Sequence, residues 1–188
     1  MAARAFFAVD FSDEVRRALS GAIRALPLAQ ASAKPVAMEN LHVTLHFLGP
    51  IDDDRIMAAH EAGAAAAAAI GPFEIDSHGL QCVPSQGRLR MVWAGLADPT
   101  GGLADLHRVL GDRLAEADFD VDPRPFRPHV TLVRFRSGRG VDDVRAAVGA
   151  EADKGFGTVR AVSLVLYSSE LTKAGPIYVP MSTMPLSG

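Results

Sequence analysis

A single cysteine, Cys82, stands among 188 residues, which excludes a disulfide framework and a cysteine-built zinc site within the chain and suits a reducing cytosol. Long apolar runs are also missing. The stretch Ala5 to Val9 is too short for a signal sequence and ends at Asp10. The alanine run Ala64–Ala69 falls well short of the roughly 20 apolar residues that span a bilayer, so no membrane attachment is expected. Excess charge of either sign is absent as well: at a net −3, nothing global draws the chain onto a long polyanion. What remains is an apolar fraction of 48 % and a slightly positive mean hydropathy, the balance of a well-packed soluble chain. The length suffices for one large domain or two small intertwined lobes.

Against that background one tetrapeptide occurs twice. His-Val-Thr-Leu stands at His42-Val43-Thr44-Leu45 and again at His129-Val130-Thr131-Leu132, 87 residues apart (129 − 42) and close to half the chain. Histidine exchanges protons near neutrality, and each copy follows it two residues later with a hydroxyl. Two such units suit a matched acid and base with one phosphate between them.

Strand signals cover Arg4 to Phe11, Lys34 to Met38 and Leu41 to Leu48, the last two joined by a tight turn at Glu39-Asn40. They continue at Phe73 to Leu80, Leu89 to Gly95, His129 to Arg136, Phe156 to Tyr167 and Ile177 to Val179. Helices are predicted after the Ser12 N-cap, over Asp52 to Ile70, Thr100 to Ala117 and Val141 to Ala150. The three prolines in Asp122 to Pro128 make that segment an ordered loop. Hairpin links between alternating strands and helices predict an α+β architecture of mixed or antiparallel sheets with helices outside.

Alternation along a strand assigns faces. Leu41, Val43, Leu45 and Phe47 share an apolar face, while His42, Thr44 and His46 share the opposite one, expected to line a cleft. The second copy repeats this, with Val130 and Leu132 toward the core and His129 and Thr131 toward the cleft. A helical reading would turn His42-x-x-x-His46 into a zinc pair. β-branched Val43 and Thr44 favour strand, on which residues four apart are separated by roughly 13 Å; no metal site is expected. His46 has no counterpart, since Val133 stands there. His60, His78 and His107 stand alone and read as ordinary polar residues. Arg124, Arg127, Arg134, Arg136 and Arg139 cluster around the second histidine with no acidic residue between them. They form either a solvated loop or a small basic mouth for an RNA end or a phosphate.

The chain resembles the two-histidine phosphoesterases, and within them the RNA 2′,3′-cyclic phosphodiesterases, also called 2′-5′ RNA ligases. The resemblance runs through Arg4–Asp10, Glu39–Gly49, Arg90–Gly95, Phe126–Arg134, Leu166–Leu171 and Gly175–Tyr178. It implies a single domain over 1–188, two intertwined lobes in a bilobal pseudo-two-fold sandwich around a central cleft. It carries catalytic roles to His42 and His129, and phosphate binding to Thr44, Thr131 and Arg134. Simple alternation puts Arg134 on the face opposite His129, so a bulge or strong twist near Val133 is required.

The implied reaction is metal-independent hydrolysis of an RNA-terminal 2′,3′-cyclic phosphate to a 2′-phosphate, with no cofactor. His129 would act as base on water and His42 as acid at O3′. Reverse 2′-5′ RNA ligation is a side activity of such a site. The partners implied are RNA ends or short oligonucleotides met in the cytoplasm, with no obligate protein partner and a monomeric chain. Two alternatives are a cyclic phosphodiesterase for a small nucleotide such as ADP-ribose 1″,2″-cyclic phosphate, and a noncatalytic RNA-end-binding module.

Overall fold

The computed structural model describes residues 3–172 and 175–188. Strand β1 (Ala3–Asp10) leads into helix α1 (Asp13–Ala25), which starts where the Ser12 hydroxyl accepts the Val15 N–H at 3.4 Å. Val15, Leu19, Ala22 and Ile23 form its buried stripe. After β2 (Ala33–Pro35) and a single 3₁₀ turn (Met38–Asn40) comes β3 (His42–Ile51), the strand of the first His-Val-Thr-Leu. Helix α2 (Asp53–Ala68) begins with the Asp52 carboxylate accepting the Arg55 N–H at 3.2 Å. Strands β4 (Phe73–Val83) and β5 (Met91–Ala97) form a hairpin. Helix α3 (Gly102–Glu116) has its first amides, Leu103 and Ala104, held by the Asp98 carboxylate at 2.8 and 3.1 Å. The second copy opens β6 (His129–Phe135), followed by α4 (Asp142–Ala150), β7 (Gly155–Ala161), β8 (Ser163–Leu171) and β9 (Pro176–Pro185).

These strands build two antiparallel sheets, in the orders β3-β1-β8-β9 and β2-β6-β5-β4-β7. Helix α2 packs on β8 and β9 and against α3, α1 on β6 and β7, and α4 on β4. The halves interleave: β2 joins the sheet of the second histidine, and β8 and β9 complete the sheet of the first. Aligning β3 with β6 matches the two strand orders outward, β1 with β5, β8 with β4 and β9 with β7, with β2 as the extra edge. This is the expected α+β sandwich with pseudo-two-fold symmetry, and its sheets are antiparallel throughout the described residues.

One expectation changes. The segment after Lys34 does not run as a strand to Met38 beside β3. It leaves β2 at Pro35, which donates no backbone hydrogen bond and suits an edge, and crosses to the other sheet through the 3₁₀ turn. Among the described residues no helix is long and apolar enough to cross a membrane.

The apolar core lies between the sheets and the helices that cover them, and in it Phe7, Leu19, Leu106, Leu110, Leu132 and Leu164 are inaccessible to solvent. Gly63, inside α2, shows how tightly α2 lies on it. A Cβ there would stand 2.6 Å from the Phe7 ring and 2.8 Å from the Met184 sulfur. Helix propensity alone favours Gly63→Ala by up to ~1 kcal/mol. The buried Phe7 ring cannot retreat, so the clash outweighs the propensity gain and the variant is expected to lose about 1–3 kcal/mol in urea unfolding. A stabilised Gly63→Ala would mean that helix and sheet are not in such contact.

Candidate active site

Both His-Val-Thr-Leu strands carry a break in the same place. In β3 against β1, Thr44 faces Ala8 but His46 faces Phe7, so Leu45 is an extra residue. In β6 against β5, Thr131 faces Trp93 but Val133 faces Val92, so Leu132 is extra. A bulge reverses the alternation beyond it. The burial follows: Leu45 and His46 are consecutively buried, as are Leu132 and Val133, and the next residues, Phe47 and Arg134, emerge.

The bulge returns Arg134 to the face of His129 and Thr131, the redirection that simple alternation required. It also corrects the assignment of two other residues. His46 does not face the cleft. It is 4 % exposed, and its Nε2–H donates to the His107 carbonyl at 2.9 Å, beside Gly111 of α3, where the absent side chain leaves room for the ring. Phe47 does not join the core. It is 68 % exposed and lies on the cleft side. Since His42 and His46 thus point to opposite faces of β3, they cannot share a metal.

His42, Thr44, His129, Thr131 and Arg134 line one cavity of about 400 Å³. The two imidazoles are held alike. His42 Nδ1–H donates to the Asn40 carbonyl at 2.8 Å and His129 Nδ1–H to the Arg127 carbonyl at 2.7 Å, each two residues upstream. That fixes the tautomer and leaves Nε2 as the nitrogen able to take a proton. In His42 it accepts the Thr44 hydroxyl at 2.9 Å.

Aromatic neighbours fix the ring planes. His129 stacks on Trp93 at 3.6 Å, and His42 lies over Phe6 at 5.0 Å with Tyr178 edge-on at 5.3 Å. Burial pushes His42 down to about 4, against the opposing pull of the Asn40 carbonyl and the Asp10 carboxylate. Burial lowers His129 as well, and the Arg134 cation adds to the effect. Both rings are therefore neutral at pH 7 in the empty cavity. Behind His42, Asp10 accepts the Tyr167 hydroxyl at 2.7 Å and pairs with Arg16 at 3.1 Å.

Of the five clustered arginines, only Arg134 lines the cavity. Arg124 is engaged by Asp122, and Arg127 contributes its carbonyl. Lys34, opposite Arg134 in the β2–β6 pair, supplies a second cation to the cavity wall. The remaining wall includes Glu39, Asn40, Ile177 and Tyr178, with the Asn40 amide donating to the Pro176 carbonyl at 2.9 Å. Trp93 and Tyr178 fall within the segments that carry the family resemblance, which marks them as candidates but assigns them no role. Asp10 closes the first of those segments, likewise with no role assigned, and nothing in the local sequence identifies Lys34; both reach the site through strand pairing. His107 is not an isolated polar residue either. Its ring is stacked between His46 at 4.2 Å and Phe126 at 4.0 Å, which pins the proline-rich loop leading into His129.

The sequence and fold have recognisable relatives. A family model described as the 2′-5′ RNA ligase superfamily matches residues 11–170. An RNA 2′,3′-cyclic phosphodiesterase of Methanothermobacter thermautotrophicus is 32 % identical over 186 residues, 99 % of this chain and all of that protein. One of Escherichia coli is 30 % identical over 185 residues, 98 % and 97 % of the respective chains. Among solved structures, E. coli LigT complexed with 3′-AMP superposes with a TM-score of 0.77 at 26 % identity, covering both chains completely. Reach and identity of these matches agree with the doubled motif on one cavity: the chain belongs to the 2′-5′ RNA ligase superfamily.

Proposed function

We propose that this chain is an RNA 2′,3′-cyclic phosphodiesterase, a hydrolase that opens a terminal 2′,3′-cyclic phosphate at the P–O3′ bond to leave a 2′-phosphate. The observation that carries the reading is the pair of imidazoles, delivered by different sheets to one cavity with the same Nδ1 anchoring. The named activity of relatives over nearly the whole chain supports it, and the E. coli LigT complex with 3′-AMP supports a nucleotide as the occupant. Residues 1–188 act as one catalytic unit of two lobes, since each lobe contributes one imidazole. The lone cysteine suits a reducing cytoplasm, and the reading takes the enzyme as a monomer.

Water needs a base to become a nucleophile, and the departing O3′ needs a proton because an alkoxide leaves poorly. His129 takes the proton from water as the O–P bond forms; His42 gives one to O3′ as P–O3′ breaks. The surroundings support that order. The Arg134 cation disfavours protonation of both rings, and Arg16 does so at His42, but only His42 has a carboxylate, Asp10 opposite it in the β1–β3 pair, that favours its charged form. Desolvation keeps His42 neutral while the cavity is empty, and the phosphate anion loads it. Thr44 and Thr131 bind nonbridging oxygens, and Arg134 with Lys34 offsets the charge that accumulates on them. Each step is a proton transfer or a charge contact, so the route is metal-independent. A 5′-hydroxyl in place of water yields a 2′-5′ linkage by the same steps.

Replacing either His42 or His129 by alanine is expected to lower the rate about 10²–10⁴-fold on an oligonucleotide ending in 2′,3′-cyclic phosphate, with a 2′-phosphate as the wild-type product. EDTA is expected to leave the rate unchanged, and activity lost to EDTA and restored by zinc would defeat the metal-free route. Binding without any 2′-phosphate product would identify a noncatalytic module. Faster turnover of ADP-ribose 1″,2″-cyclic phosphate than of an RNA end would point to the small nucleotide.

The pH profile follows from the two depressed histidines. The reactive form has one ring neutral and one charged, so kcat/KM is expected to be bell-shaped, with limbs set by free-enzyme pKa values below the ordinary 6.5. A bound phosphate anion favours the imidazolium, so the kcat optimum moves to higher pH than that of kcat/KM. A profile flat from pH 5 to 9 would exclude the paired roles.

A further inference from the structure

Beside the cavity, Arg88, Arg90, Met91, Arg134 and Phe135 line a surface groove of about 380 Å³. Arg134 lines both, so the groove adjoins the cavity. We infer that this groove holds the sugar-phosphate backbone of the RNA strand 5′ to the reacting terminus, making the preferred substrate an oligonucleotide rather than a mononucleotide. The inference rests on the cyclic phosphodiesterase reading of the cavity and extends it to the substrate's class.

Charge is the first argument. Among the described residues, Arg88, Arg90 and Arg134 form no ion pair, and the groove they line includes no carboxylate. Lys34 sits directly across from Arg134, a like-charged cross-strand pair that destabilises the free protein. In a chain with net charge −3, cations gathered without carboxylates mark a surface whose counter-charge arrives with a ligand.

Rigidity is the second. The Phe135 N–H donates to the Arg90 carbonyl at 2.8 Å, the Arg90 N–H to the Val83 carbonyl at 2.9 Å, and the Arg88 guanidinium to the Arg136 carbonyl at 2.6 Å. The segment is thus laced to β4 and β6, and the Arg88 guanidinium is held in place before any ligand arrives.

Shape selects the ligand. Three arginines line one open groove of about 380 Å³, more cation and more room than one small anion needs, which suits successive phosphates of a strand. Phe135 is buried, so no aromatic face is offered for base stacking, and contact is expected to be to the backbone and indifferent to sequence.

The test compares 2′,3′-cyclic AMP with an oligonucleotide of about six nucleotides ending in 2′,3′-cyclic phosphate, using the full chain and the double variant R88Q/R90Q. The variant is expected to lose about tenfold in kcat/KM on the oligonucleotide and at least fivefold less on the mononucleotide. Its log kcat/KM against log salt should be shallower by roughly 0.7 for each phosphate contact removed. R90Q alone, whose side chain makes no hydrogen bond within the described residues, should show the same selective loss in part. Equal losses on both substrates, or an unaffected oligonucleotide, would overturn the groove. Wild-type protein that turns over neither substrate would instead strike the activity itself. Fluorescence anisotropy with a 3′-hydroxyl oligonucleotide then reads the groove separately: R88Q/R90Q binding as tightly as wild type would exclude it, and a weaker, less salt-sensitive complex would support it.

Discussion

A one-residue bulge, repeated at Leu45 and Leu132, is the constraint on which the site depends. Before it, His and Thr alternate into the cleft; after it, the parity reverses. Without the bulge in β6, Arg134 would point into the layer of Phe135 and Val133, where an unpaired guanidinium costs several kcal/mol to bury. Without the bulge in β3, the bulky Phe47 ring would enter the core and His46 would leave its place beside α3. One extra leucine per strand therefore decides that Phe47 and Arg134 join the His and Thr side chains at the cavity. Both leucines fill core volume, so the device is anchored by packing on the far side of the sheet.

The imidazoles are then oriented by local backbone geometry. Each Nδ1 meets a carbonyl two residues upstream, in the segment that leads into its strand. At His42 that segment is the 3₁₀ turn ending at Asn40; at His129 it is the proline-rich loop held by the His46–His107–Phe126 stack. Different structures thus produce the same 2.7–2.8 Å contact. The stack also links the copies, since His46 belongs to the strand of the first histidine and Phe126 to the loop of the second.

Much of this was legible in the sequence, for identifiable reasons. The helices follow from capping residues and apolar stripes at Ser12, Asp52 and the four leucines of α3, all of which are local signals. His42, Thr44, His129 and Thr131 follow from doubling and alternation, which are also local. Alternation fails at His46 and Phe47 because a bulge has no composition of its own: Val-Thr-Leu-His-Phe reads the same with or without it. The need for one in β6 was visible only because a charged side chain stood at the wrong parity. Position 47 carries an apolar residue, so the same error raised no conflict there. The pairing of β2 with β6, which brings Lys34 to the cavity, and that of β1 with β3, which brings Asp10 behind His42, are long-range choices that no local pattern encodes.

In the proposed reaction two similarly held histidines take different parts, although the copies are nearly symmetric. The difference lies at positions where the repeat is broken. Opposite His42 stands Asp10, and opposite His129 stands Gly95, so one ring has a carboxylate beside it and the other has none. At the position after the bulge the copies carry Phe47 and Arg134, so one side of the cavity is apolar and the other cationic. On the proposed reading, a cyclic phosphate entering between the rings would meet different fields on its two faces and take one favoured orientation. Its charge is drawn toward Arg134 and Lys34, and the proton is drawn toward the imidazole beside Asp10. Symmetry brings the rings together; its failure at these two pairs of positions divides their labour.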